Sequence, residues 1–166
     1  MDEAFEMSTD AATSESATES APPPQGIPDQ VSRTRAAILE AAQAGDYDRL
    51  RPVLDADVFL SDFGFGTDPT RRWQALGDRP LEMMNVVLQM DYVVRETNEG
   101  TLYQWPSFGP DSSADDLTAR DRELFSTIMT SDELEDLVLP EIGYTAPRLG
   151  ILADGTWWFF IMESGP

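Results

Sequence analysis

The chain has 166 residues, enough for one domain with a hydrophobic core, and its 31 acidic and 11 basic residues give a net charge of −20. Such a surface repels phosphate backbones and anionic lipid, which disfavours nucleic-acid and membrane binding and leaves a partner protein or a small neutral or cationic ligand. The sequence has no histidine, cysteine or lysine, which excludes zinc fingers, Ser-His-Asp triads, cysteine nucleophiles, Schiff bases and the P-loop.

The amino-terminal residues differ in composition from the rest of the chain. Residues 1–26 are mainly acidic residues, Ser, Thr, Ala and Pro, without a positive charge. Because this composition cannot bury enough apolar surface to offset the entropy of ordering, we predict a disordered tail over residues 1–28 and one globular domain over residues 29–166. The tail has neither the basic start nor the apolar core of a signal peptide, and no apolar run approaches the length that spans a bilayer. Its composition suits both a spacer before an exported domain and the tail of a cytoplasmic protein.

The first half of the globular part is predicted to be mainly helical. Apolar residues recur at helical spacing from Asp29, and Gly45 ends this helix. Asp46 then caps a short helix that Pro52 shortens or kinks. Residues 58–66, VFLSDFGFG, are predicted to be an extended segment that leads into a glycine-punctuated loop.

Two further helices precede the first predicted hairpin. They begin at Asp68-Pro69 and at Pro80, because these residues suit a helix cap and a first turn. Residues 92–105 then form a β-hairpin in which Tyr103 and Trp105 share one face by alternation.

An acidic helical region separates this hairpin from the last one. Thr118 and Thr130 each begin a helix with the capping-box pattern. The acidic side chains near these helix starts suit the helix dipole, so we interpret them as capping and solvated residues. Asp55, Asp57 and Asp62 lack the spacing of a calcium-binding loop, and we predict no metal site and no cofactor.

The strongest hairpin pattern lies near the carboxyl terminus, where Ala153-Asp154-Gly155 separates two apolar runs. A two-residue turn would set Arg148 opposite Ile161 and mix polar with apolar side chains on each face. A three-residue loop, with its glycine in a left-handed bulge, pairs Leu152 with Thr156 instead. This register is predicted because it separates the two kinds of side chain.

The predicted register sorts the hairpin into two faces. The inner, wholly apolar face carries Leu149, Ile151, Trp157, Phe159 and Ile161. The outer face carries Arg148, Gly150, Trp158 and Phe160. Either a helix or loop covers the outer face, or this face contacts a ligand or partner and Arg148 packs over an aromatic ring.

Together these elements predict an α+β domain. Four or five helices pack on a small antiparallel sheet of about four strands, which the C-terminal β-hairpin closes.

Four segments of the chain resemble a family of uncharacterised bacterial exported or lipoprotein-like domains over residues 31–162. They are AILEAAQAGDYDRLRPVL, FGFG with the Asp68-Pro69 and Trp73 that follow, LYQWPSF, and RLGILADGTWWFFI. The resemblance implies a periplasmic or cell-envelope protein whose acidic tail is a spacer downstream of a removed signal, and it implies no activity and no functional residue. The first segment also resembles the opening of NTF2-like domains, cone-shaped folds that include small-molecule isomerases.

The leading functional hypothesis is a non-enzymatic binding or interaction domain of the bacterial cell envelope. Its contact surface would consist of Arg148, Trp158 and Phe160, extended by Tyr103 and Trp105, and no catalytic residue is predicted.

The alternative is an NTF2-like small-molecule-binding domain or isomerase-type enzyme. It requires an enclosed apolar pocket with a carboxylate whose pKa burial raises, and Asp62, Asp91 and Glu96 are the carboxylates nearest the predicted strands. A third hypothesis is a purely structural protein whose acidic surface maintains solubility.

Overall fold

A computed structural model of the chain describes residues 26–145 and 147–162. Most of the predicted tail, residues 1–25, lies outside the described residues. The described helices and strands are, in chain order, α1 (Asp29–Ala44), a 3₁₀ helix (Tyr47–Val53), β1 (Leu60–Ser61), β2 (Gly64–Phe65), α2 (Thr70–Ala75), α3 (Arg79–Val87), β3 (Val93–Thr97), β4 (Gly100–Trp105), a 3₁₀ helix (Ala114–Asp116), α4 (Ala119–Ser126), α5 (Ser131–Glu135), β5 (Val138–Leu139), β6 (Gly143–Tyr144), β7 (Arg148–Leu152) and β8 (Trp157–Ile161).

The predicted α+β class is confirmed, but the sheet is larger than predicted. Its six strands run in the order β2-β1-β8-β7-β4-β3, and β5 pairs with β6 in a separate two-stranded sheet. β3–β4 and β7–β8 are the two predicted hairpins. The predicted four-stranded antiparallel sheet is wrong because residues 58–66 also add β1 and β2, and β1 pairs parallel with β8.

The helix ends follow the local chemistry of the sequence. Gly45 ends α1 in the left-handed conformation, with φ of 67°. At the start of α4, the Thr118 hydroxyl accepts from the Asp121 N–H at 3.0 Å, and the Asp121 carboxylate accepts from the Thr118 N–H at 2.9 Å. Thr130 and Glu133 form the same reciprocal pair at α5. Both predicted capping boxes are therefore confirmed.

The core lies between the sheet and the helices that cover its inner face, where α1 and α3 both contact β7. Trp73 of α2 sits at its centre, with ring centroids 5.8 Å from Phe59, 6.0 Å from Trp157 and 5.7 Å from Phe160. The Nε1–H of Trp73 is buried without a hydrogen-bond partner within the described residues. Its ring stands edge-on to Phe59 and Phe160, the arrangement that aromatic quadrupoles favour.

The predicted turn of the C-terminal hairpin is confirmed. Leu152 donates its N–H to the Thr156 carbonyl at 2.8 Å, and Ile151 pairs with Trp157. Gly155 has a φ of 93°, and its carbonyl accepts from the Thr34 hydroxyl of α1 at 2.6 Å. This turn therefore fixes α1 against the end of the sheet.

The predicted faces of β8 are partly wrong, because a β-bulge at Trp158 shifts the register. Beyond Ile151–Trp157, Gly150 pairs with Phe159 and Arg148 pairs with Ile161. A shift of one residue moves each later side chain of β8 to the opposite face of the sheet. Phe160 is consequently fully buried on the inner face. Phe159 lies on the outer face, where its ring occupies the space that a side chain at position 150 would need.

A long excursion, residues 106–147, connects β4 to β7 and contains α4, α5 and the small sheet. Tyr144 of β6 packs its ring against Phe108 and Phe125, at centroid distances of 5.5 and 6.4 Å. Arg79 of α3 donates to the Ile128 carbonyl at 2.7 Å. The ring contacts hold the excursion together, and the Arg79 hydrogen bond attaches it to α3. None of the helices among the described residues is long and apolar enough to cross a membrane.

The bulge at Trp158 predicts unequal effects for two neighbouring phenylalanines. Phe160→Ala should lower the free energy of unfolding by about 3–5 kcal/mol because it empties part of the core. Phe159→Ala should cost only about 1–2 kcal/mol because its ring is half-buried. Urea unfolding followed by circular dichroism measures both. A larger loss for Phe159→Ala would show that the unbulged register is correct.

The turn glycine provides a second test. In Gly155→Ala the new Cβ would strain a positive φ and lie 3.1 Å from the Gln30 carbonyl oxygen. Gly45→Ala, at φ of 67° with no neighbouring atom within 4 Å, is the matched control. We expect Gly155→Ala to lower the midpoint of thermal unfolding further than Gly45→Ala. Equal losses would mean that packing against α1 does not constrain the turn.

Candidate functional site

A cavity of about 370 Å³ lies between the outer face of the sheet and the excursion. We call it the arginine cavity. It is lined by Arg95, Gln104, Gly109, Pro110, Ile142, Tyr144 and Arg148.

Three adjacent strands supply the sheet side of the arginine cavity. Gln104 of β4 pairs with Val93 of β3 and with Gly150 of β7. Because side chains two residues apart share a face, Arg95 and Arg148 lie on the same face as Gln104. The two arginines therefore flank a central glutamine, one from each neighbouring strand.

Gln104 is held by backbone groups at the start of the excursion. Its side-chain amide is buried and donates to the Pro106 carbonyl at 3.2 Å and to the Phe108 carbonyl at 3.1 Å. A buried amide with two partners has a fixed orientation. Gln104 thus both lines the cavity and ties the excursion to β4.

The opposite wall of the cavity is held together by close backbone contacts. The Tyr144 N–H donates to the Gly109 carbonyl at 3.1 Å. Gly143 has a φ of 85°, and a side chain there would collide with the backbone of Pro110. The two pieces of the wall, residues 109–110 and 142–144, are therefore locked to each other.

Tyr144 is a neutral hydrogen-bond donor at this site. Its hydroxyl donates to the Pro147 carbonyl at 2.7 Å, one residue before Arg148. Burial raises the pKa of the Tyr144 hydroxyl well above its ordinary value, and the nearby Arg148 charge only partly opposes this shift. Tyr144 therefore stays protonated at every physiological pH.

Arg148 is a half-buried cation. Burial lowers the pKa of its guanidinium, while Tyr144 and the Asp62 carboxylate raise it. An arginine side chain keeps its charge in proteins, so a positive group is retained inside a partly desolvated cavity. The Asp62 carboxylate also accepts from the Met162 N–H at 2.8 Å, which places it at the end of β8.

The structure brings only one of the five predicted contact residues to the cavity. Arg148 lines it, whereas Trp158 is half-buried at the bulge with its ring 6.0 Å from Phe159. Phe160 is in the core, so its predicted place beside Arg148 is wrong. Tyr103 and Trp105 do share a face, but it is the buried inner face.

The inner-face residues belong to another aromatic group. Tyr92 stacks near Tyr103 and Trp105, with centroids 6.0 and 5.4 Å apart. Arg35 of α1 lies 6.0 Å over the Trp105 ring and donates to the Leu88 carbonyl. These contacts join α1, α3 and the sheet, and they leave neither Tyr103 nor Trp105 available to a partner.

Several lining residues were missed by sequence reasoning. Arg95 and Gln104 could have been found, because they alternate out of phase with Tyr103 on the predicted hairpin. Pro110, Ile142 and Tyr144 carry no comparable pattern, because their place depends on how the excursion folds back.

The carboxylates of the enzyme hypothesis do not have the environment it requires. Asp62, Asp91 and Glu96 are all exposed. Hydrogen bonds to Thr70 lower the pKa of Asp68, and hydrogen bonds to Thr156 lower that of Asp154, which is the opposite of the required direction. Within the described residues, no group of acidic side chains is arranged to hold a metal ion.

Comparisons with protein-family models, with curated proteins and with solved structures found no match to this chain.

The four tyrosines of the chain should make the free energy of unfolding depend on pH in the alkaline range. Burial raises the pKa of Tyr47 and Tyr92 to about 12 and raises those of Tyr103 and Tyr144. Tyrosines of the unfolded chain ionise near pH 10. Between about pH 10 and 12 the unfolded chain therefore releases protons that the folded chain keeps, and the free energy of unfolding should fall as pH rises.

Absorbance at 295 nm measures tyrosine ionisation directly. We expect its midpoint in the folded protein to lie above that in 8 M urea, and Tyr144→Phe to lose less stability between pH 9 and 11 than the unsubstituted protein. Coincident midpoints with and without urea would contradict the burial of these hydroxyls.

Proposed function

We propose that this chain is a non-enzymatic binding domain of the bacterial cell envelope, which holds a small ligand in the arginine cavity. The observation that carries the proposal is the cavity itself. Its volume of about 370 Å³ lies in the range of small-molecule sites, and it combines a few polar groups with apolar surface.

The fixed geometry of the lining supports binding. Gln104 is held by two carbonyls, and Tyr144 is held by the Pro147 carbonyl. The wall opposite the sheet is locked where Gly143 meets Pro110. A site that is ordered before the ligand arrives loses less conformational entropy on binding, which favours affinity.

The location in the envelope rests on the sequence resemblance. Two of the four resembling segments contribute to the cavity, since LYQWPSF contains Gln104 and RLGILADGTWWFFI contains Arg148. An acidic, proline-containing segment before the domain suits a spacer.

An NTF2-like enzyme with a buried carboxylate is the alternative. It is less well supported because its three candidate acids are exposed. Among the described residues, those that line the cavity bring arginine, glutamine and tyrosine together without an acidic side chain. Such a set can orient a ligand by hydrogen bonds, but it offers no general base near neutral pH.

A fragment screen tests the proposal. A library with equal numbers of anionic, neutral and cationic molecules would be added to ¹⁵N-labelled protein. Fragments that bind should shift the side-chain signals of Gln104 and Arg148. Arg148→Met should weaken their binding at least tenfold because it removes a charged donor. Arg33→Met, at an exposed position on α1, is the matched control and should have no effect.

Two results of the screen would contradict the proposal. Fragments whose shifts map to another surface, or no binders at all, would overturn the cavity as a ligand site. Because Arg148→Met changes a half-buried residue, its fold is checked by the dispersion of the unliganded spectrum. If that variant unfolds, the shift map of the unsubstituted protein alone decides the question.

A further inference from the structure

We infer that the arginine cavity binds a primary carboxamide, whose N–H group donates to Oε1 of Gln104 and whose carbonyl oxygen accepts from the guanidinium of Arg95. This inference rests on the proposed function, and it adds the chemical class of the ligand.

The orientation of the Gln104 amide follows from its partners. The carbonyls of Pro106 and Phe108 can only accept, so the atom that faces them, at 3.2 and 3.1 Å, is the donor Nε2. Oε1 lies on the other arm of the amide and accepts no hydrogen bond from a described residue. The fold therefore satisfies the donors of this amide and leaves its acceptor unused.

The unused acceptor opens on the cavity. Gln104 is only 7 % exposed, and the Nε1 atom of Trp73 is the one buried side-chain polar atom without a partner among the described residues. Oε1 of Gln104 is therefore in contact with open space, and the space that Gln104 lines is the arginine cavity. A ligand that covers this oxygen without donating to it removes its hydrogen bond to water, so a ligand with a donor is favoured.

A donor lies beside this acceptor. The Gln104 amide binds the carbonyl of Phe108, and the Nη2 atom of Arg95 lies 2.9 Å from the position that a Cβ would occupy at Gly109, the next residue. Arg95 and Gln104 also project from the same face of neighbouring strands. The ends of the two side chains therefore meet the same part of the excursion. Because a guanidinium can only donate, the pair presents an acceptor next to a donor.

A primary carboxamide matches this pair. It has an N–H on the same edge as its carbonyl oxygen, so one edge of the group can both donate and accept. A trans peptide group does not match, because its N–H and its carbonyl point in opposite directions. Ketones, ethers and carboxylates have no donor, and they would cover Oε1 of Gln104 without a hydrogen bond.

An exposed apolar residue indicates what the carboxamide is attached to. Ile142 is 51 % exposed, which makes it one of the few large hydrophobic side chains on the surface of the described residues. It lies at the cavity together with Pro110. Covering it with an apolar group would gain hydrophobic free energy, so the ligand should have an apolar body as well as a carboxamide.

Three naphthalene derivatives test the hydrogen-bond preference in the unsubstituted protein. 2-Naphthamide has a primary amide, 2-acetonaphthone has a methyl group in place of the nitrogen, and N-methyl-2-naphthamide keeps its N–H only on the side away from the carbonyl. We expect naphthamide to bind with a Kd at least about fivefold lower than either of the others. In protein labelled with ¹³C and ¹⁵N, only naphthamide should move the Cδ signal of Gln104 downfield, because a hydrogen bond to Oε1 deshields this carbon.

A second pair identifies the source of the carboxamide, because a free molecule and a glutamine side chain of a peptide present the same group. Acetyl-Leu-Gln methylamide is compared with acetyl-Leu-Met methylamide as its control. Tighter binding of the glutamine peptide than of naphthamide indicates a peptide side chain, and the reverse order indicates a free amide. Either order supports the inference when naphthamide binds at least about fivefold more tightly than acetonaphthone.

One substitution locates the carbonyl of the ligand. Arg95→Met, at an exposed position, should weaken naphthamide and acetonaphthone by similar factors because both accept through a carbonyl oxygen. Arg33→Met is the control and should change neither affinity. Gln104→Met would also remove the two hydrogen bonds that tie the excursion to β4, so the ligand series tests the acceptor instead.

The inference is overturned if acetonaphthone or N-methyl-naphthamide binds in the cavity as tightly as naphthamide, or if naphthamide does not bind there. It is also overturned if Arg95→Met leaves the affinity for naphthamide unchanged. The fragment screen decides independently whether the cavity binds any small molecule, so the proposed function can stand when this inference fails.

Discussion

The β-bulge at Trp158 determines which residues of the sheet enter the core and which remain on the outer face. Because it shifts the register by one residue, Trp157 and Phe160 both reach Trp73, and Phe159 covers Gly150. The bulge also decides that Arg148 pairs with Ile161. A regular ladder from the same turn would have placed Phe159 in the core, and the outer face would have had a different surface.

The excursion turns this outer face into a site. A sheet face alone is a flat surface, but residues 109–110 and 142–144 of the excursion lie over part of it and form the second wall of the arginine cavity. Gln104 has the central role. Its side-chain amide donates to two carbonyls at the start of the excursion. Its strand partners on β3 and β7 each lie two residues from one of the arginines, which places all three side chains on one face. The same contacts therefore hold the fold and shape the cavity.

Local chemistry explains what could be predicted from the sequence. The capping boxes at Thr118 and Thr130 and the turn at residues 153–155 depend on residues close in the chain, and both features are present. The bulge brings Phe160 to the Trp73 ring of α2, in the part of β8 that pairs with β1, and these partners are distant in the chain. Alternation alone therefore assigned Phe159 and Phe160 to the wrong faces. The cavity depends on the pairing of β4 with β7 and on the path between them, and of its lining residues only Arg148 was predicted as a contact residue.

The contact between Gly143 and Pro110 has a consequence for how this protein tolerates change. Position 143 rejects every other amino acid for two independent reasons, a left-handed backbone and the absence of space beside Pro110. Random mutagenesis should therefore find this residue intolerant although it lies in a strand of only two residues. Insertions in the exposed turns between the helices of the excursion would be accepted far more readily, so the cavity wall could persist while those turns diverged in length and sequence.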